Sequence, residues 1–101
     1  MKRAALLLSI LLSIPAGGCG PPQLGGGERP FKAVDALYTA VSLRDPRLVD
    51  QCEQTLLGLK AGGDLPEEPA KALDAIIAEA RAGRWEPAQA RLGDFMRAQR
   101  R

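Results

Sequence analysis

The chain has 101 residues, with 14 basic and 12 acidic side chains, two cysteines, no histidine and a formal net charge of +2. That length allows one small domain. Without histidine there is no base of the kind that activates serine or cysteine nucleophiles, and the common zinc and haem ligand sets are absent. The near balance of charge argues against nucleic acid as a partner.

Met1-Lys2-Arg3 sets two positive charges in front of an uncharged run, Ala4 to Ile14 (AALLLSILLSI). A helix of that length reaches about 17 Å, well short of a hydrocarbon core of roughly 30 Å. It therefore reads as the apolar region of a signal peptide and not as a span. Pro15 stops the helix, and Ala16, Gly17 and Gly18 are small enough to lie extended in a peptidase cleft directly before Cys19. Ala16-Gly17-Gly18-Cys19 resembles the lipobox read by lipoprotein signal peptidase, with Ala16 where leucine is commonest. The resemblance implies that residues 1–18 are removed, that the Cys19 thiol accepts a diacylglyceryl group, and that this lipid holds the protein on a membrane. Gly20 follows the cysteine, which by the same analogy favours the periplasmic side of the outer membrane in a Gram-negative cell. The alternatives are cleavage by the general signal peptidase, which releases a soluble chain with a free thiol at Cys19, and retention of the apolar segment as an N-terminal anchor.

Gly20 to Gly27 (GPPQLGGG) cannot form a useful helix or ladder. Residues 19–29 are expected to be a lipidated, flexible tether that sets the folded part roughly 15 Å from the bilayer. The domain proper is expected over 30–101, close to the lower size limit for one core without staples.

Four stretches of that domain carry helical period, and no stretch alternates as a strand. Phe31, Val34, Leu37, Tyr38 and Val41 recur at intervals of three and four, after a proline suited to a first turn. Asp45-Pro46 reads as an N-cap followed by proline at the first helical position, opening a helix with Leu48, Val49, Cys52, Leu56 and Leu59 on one face. Gly62-Gly63 ends it. Pro66-Glu67-Glu68-Pro69 begins a third helix with Leu73, Ile76, Ile77 and Ala80. After Gly83, Trp85, Ala88, Leu92, Phe95 and Met96 form the face of a fourth, running toward Arg101. Short links make neighbouring helices antiparallel, so the predicted fold is all-α: two helical hairpins.

A shift of 39 residues pairs Val34 with Leu73, Leu37 with Ile76, Val41 with Ala80, Val49 with Ala88 and Leu56 with Phe95. This suggests an internal repeat. Ala82-Gly83-Arg84-Trp85-Glu86-Pro87-Ala88 resembles the turn of a tetratricopeptide-type hairpin, in which the glycine, an aromatic two residues on and an alanine three further let the helices approach. The first hairpin has Arg44 to Leu48 there instead. The whole chain is similar to short lipoproteins of unknown function from planctomycete-like bacteria, on the strength of the lipobox, Asp45-Pro46 to Cys52-Glu53, and Ala82 to Arg97. That resemblance implies no activity.

Chemistry is limited by what is missing. Beyond Cys19 the chain holds one serine (Ser42), two threonines (Thr39, Thr55), one tyrosine and no asparagine. Asp50 with Glu53, or Glu67-Glu68, could pair as catalytic carboxylates, but they read better as solvated residues and as acids at a helix start. Gly25-Gly26-Gly27 belongs to the tether and is no phosphate loop. No catalytic residue, cofactor, metal or small-molecule substrate is expected. Cys52 reads as a small hydrophobe on a helix face. Removing Lys2 and Arg3 leaves 12 basic against 12 acidic side chains, unevenly spread. Asp45 to Glu79 holds eight acids and three bases, Arg81 to Arg101 six arginines and two acids. A basic last helix lying beside acidic neighbours is expected, with Arg97, Arg100 and Arg101 available to anionic lipid or an acidic partner. Trp85, Phe31 and Tyr38 are candidate apolar anchors for another protein. The reading is a membrane-anchored envelope protein whose helices contact another protein; the alternative is a structural component on lipid or cell wall with no specific partner.

Overall fold

The computed structural model describes residues 22–25 and 27–99. The signal-type segment, Cys19, Arg100 and Arg101 lie outside the described residues. Four helices follow in order: α1 (Glu28–Ser42), α2 (Pro46–Ala61), α3 (Glu67–Arg81) and α4 (Trp85–Arg97). No strand occurs among the described residues. The fold is the expected pair of helical hairpins.

Each boundary has a local cause. Asp45 caps α2 as expected, its Oδ1 accepting from the Arg47 and Leu48 amides at 3.0 and 3.3 Å, with Pro46 in the first turn. Glu67 and Glu68 stand in the first turn of α3, against its positive end. All three interhelical turns close the same way: a residue with positive φ follows the helix, and its amide and the next one bond back to the carbonyls two and three from the helix end. At the first turn these bonds are Arg44 to Val41 and Asp45 to Ala40; at the third they are Gly83 to Ala80 and Arg84 to Glu79. Gly83 has φ +88°, which glycine adopts freely, whereas Arg44 adopts φ +53° at a cost.

The 39-residue shift carries α1 onto α3 end to end and the start of α2 onto the start of α4. It also superposes Arg44 on Gly83, the two left-handed positions, and Pro30 on Pro69, both buried. The repeat is therefore structural. Its halves are not stacked by translation, which would lay α1 on α3. The substantial contacts run α1 to α2, α3 to α4, α1 to α4 and α2 to α3, and the last two exchange under the shift, as a twofold relation between hairpins requires. The tetratricopeptide likeness stays confined to the 82–88 turn.

The core sits along the bundle axis. Val34, Leu37, Val41, Val49, Leu73, Ile77, Ala80, Ala88 and Leu92 are sealed, and no polar or charged side chain is buried among the described residues. Phe31, Tyr38, Leu48, Cys52, Leu59, Trp85 and Met96 pack half-buried at its margin. Of α2 only Val49 and Leu56 are buried, fewer than in any other helix.

One expectation needs correction at the domain's start. Helix α1 begins at Glu28, so Pro30 lies in its first turn as expected, but Glu28 and Arg29 belong to the helix and not to the tether. More consequentially, the stretch expected to hang as a free tether is partly folded: Leu24 is 3% exposed and belongs to the core. The apolar end of the bundle, left open by helices alone, takes the one large apolar side chain the stretch offers.

Candidate functional site

Residues 22–25 form a strap across the end of α4. The Gln99 side chain organises it: its Oε1 accepts from the Leu24 amide at 2.7 Å, and its Nε2 donates to the carbonyls of Pro22 at 3.0 Å and Phe95 at 2.9 Å. Gln23 Nε2 donates to the Ala98 carbonyl at 3.0 Å. Two carbonyls at the α4 terminus, which have no helical donor of their own, are thereby satisfied. Beside the strap the α2–α3 turn approaches, and Arg29 Nη1 bonds Asp64 Oδ2 at 3.1 Å across an open groove lined by Leu24, Glu28, Pro30 and Pro66. Nothing in Gly20 to Gly27 beyond a lone leucine among glycines and prolines signals this arrangement in the sequence.

The candidate interaction residues are not brought together. Trp85 opens α4 and Arg97 closes it, so roughly 18 Å of helix separates them. Trp85 packs half-buried on the core, as do Phe31 and Tyr38; Tyr38 Oη accepts from Gln89 Nε2 at 3.3 Å. Arg97 is exposed and pairs with Asp94 one turn back. Arg100 and Arg101, like Ala16, Gly17, Gly18 and Cys19, fall outside the described residues.

Among the described residues, arginines of the basic C-terminal segment pair with acids of the preceding helices. Arg81 Nη2 reaches Asp50 at 2.5 Å and Glu53 at 2.6 Å, tying α3 to α2. Glu79 takes Arg91 at 2.7 Å and Arg84 at 3.8 Å. The hydrogen bonds to Glu53 and then Asp50 raise the Arg81 pKa further; this carboxylate pair is a guanidinium clamp. Burial pushes the Cys52 thiol up, in keeping with a half-buried hydrophobe. No group of three or more His, Cys, Asp or Glu side chains able to hold a metal occurs among the described residues.

Two turns stand at the far end from the strap. There Leu43 is 63% exposed, flanked by Arg44 and Arg47, across the bundle end from Arg84 and Trp85. Among the described residues the other large apolar side chain open to solvent is Leu57 on α2. Among the described residues no helix is long and apolar enough to cross a membrane. Comparison with family models, curated proteins and solved structures finds no match to the chain.

Proposed function

We propose that the protein is a bacterial envelope lipoprotein, of the short kind its lipobox and turn motifs resemble, held on a membrane by lipid at Cys19 and serving as a helical binding module for another envelope protein. The observation that carries the anchor is the succession of two charges, an apolar run too short to span, a proline, and Ala16-Gly17-Gly18 before Cys19. Support for binding in place of catalysis comes from the bundle. Its polar side chains lie at the surface, where Arg29, Lys71, Arg81, Arg84, Arg91 and Arg97 pair with carboxylates, while Leu43 and Leu57 are left open to solvent.

The test combines mass and crosslinking. The detergent-extracted protein from a bacterial host is compared with a Cys19→Ser chain, and the expected mature species starts at Cys19 with added acyl mass that the control lacks. An unmodified chain starting at Cys19 refutes the anchor. Crosslinking in intact cells is expected to recover one stoichiometric envelope protein. Recovery with lipid or wall material alone refutes the binding role and leaves a structural one.

A further inference from the structure

A lipid anchor joined through a long flexible leash tells nothing about which side of a domain meets the membrane. Here the leash is cut short. We propose that the end of the bundle where α4 finishes is the face turned to the bilayer, and that the strap enforces this orientation by pinning the chain to Gln99 three residues after the lipidated cysteine. The proposal rests on lipid attachment at Cys19.

Pro22 and Leu24 are bonded to Gln99, Gln23 to Ala98, and Leu24 is inserted in the core. Whatever path residues 19–21 follow, the contour from Cys19 to Pro22 is three residues, at most about 11 Å. The helices run 13–16 residues, so the bundle is about 20–24 Å long. A leash shorter than half the body it holds, attached at one end of that body, keeps that end at the surface and does not let the bundle turn over to stand on its opposite end. Free from Gly20 to Gly27, the same chain would average about 15 Å and reach further when extended, enough for the bundle to lie in any attitude.

Among the described residues the charges at this end nearly balance: Lys60, Lys71 and Arg97 stand with Glu28, Glu67, Glu68 and Asp94, while Arg29 and Asp64 neutralise each other; Arg100 and Arg101 follow Gln99 in the sequence. The covalent lipid and the strap thus set the attitude on uncharged bilayers, with no charge attraction needed. The opposite end, with Leu43, Arg44, Arg47 and Arg84 at the α1–α2 and α3–α4 turns, projects away from the membrane, open to a partner.

Trp85, the single tryptophan, stands at that far end and reports on it. The purified mature lipoprotein is reconstituted in phosphatidylcholine vesicles carrying a nitroxide on the headgroup, and its fluorescence quenching is compared with that of a Lys60→Trp, Trp85→Phe chain. Lys60 lies in the last turn of α2, beside the strap end; Glu67→Trp in the same background replaces it if circular dichroism shows misfolding. Quenching several-fold stronger at position 60 than at 85 is expected on phosphatidylcholine alone. Equal quenching in a chain that carries the acyl mass and floats with the vesicles overturns the orientation while the anchor stands. Absence of the acyl mass overturns both. Releasing the strap with Gln99→Ala and Leu24→Gly is expected to bring the two positions together, and a difference that survives release shows that the strap is not its cause.

Discussion

Leu24→Ala tests whether the strap is a folded part of the domain. Leu24 is 3% exposed, and the truncation removes about three carbons at ~0.8 kcal/mol each, or about 2 kcal/mol of transfer free energy. A residual cavity adds to this, although a strap at the edge of a bundle can settle inward, so about 2–3 kcal/mol is expected in total. A domain of roughly 75 residues has about 4–11 kcal/mol to lose. The change is therefore large: the melting temperature should fall by roughly 10–20 °C. Urea and thermal unfolding followed by helical circular dichroism, on the Cys19→Ser chain and its Leu24→Ala derivative, measure it. Leu57→Ala is the control, since Leu57 is 47% exposed and its loss is expected to stay within about 0.5 kcal/mol. If Leu24→Ala shifts the midpoint no more than Leu57→Ala does, Leu24 does not pack, and residues 22–25 are a loose tether after all.

Arg44→Gly relieves a left-handed residue at φ +53° and should stabilise by about 0.5–1 kcal/mol, while Gly83→Ala at φ +88° should cost about 1–2 kcal/mol, both read from urea midpoints. Arg81→Met removes both bonds to Asp50 and Glu53. With Arg81 and Asp50 well exposed, the loss should stay near or below about 1 kcal/mol and shrink in high salt, as denaturation at two ionic strengths will show. Burial raises the Cys52 pKa, so its folded value lies above its unfolded one. The stability this contributes is full below the ordinary thiol range near 8.5 and is lost as pH rises through the folded pKa. In the Cys19→Ser chain, where Cys52 is the sole thiol, labelling by a disulfide reagent at about pH 8 should accordingly be slow and should accelerate on unfolding. Equal rates in folded and unfolded chains would contradict it.

The helices were readable because their signals agree with one another. Leu73, Ile76, Ile77 and Ala80 share a face by spacing and are all buried, and Asp45-Pro46 caps α2 as its chemistry requires. The strap was not readable, since a lone leucine among glycines and prolines has no period, and Gln99 earns its role only through bonds to residues more than 70 positions away. Nor could spacing tell that Trp85 and Arg97 stand at opposite ends of one helix with separate roles, one packed on the core and one exposed. The repeat was visible as paired apolar positions. Its twofold closure was not, because a stacked and a closed pair of hairpins bury nearly the same faces.

Helix α2 holds the bundle by two buried side chains, Val49 and Leu56, and meets α3 over a thinner seam than α1 meets α2. Opening free energies follow such differences, since a segment with few sealed contacts detaches at less cost than the whole domain unfolds. Amide protons of α2 should exchange ahead of those of α1 and α3. The seam between α2 and α3, the thinnest in the bundle and the one that Arg81 bridges, is then where the bundle parts first, with α2 remaining on α1.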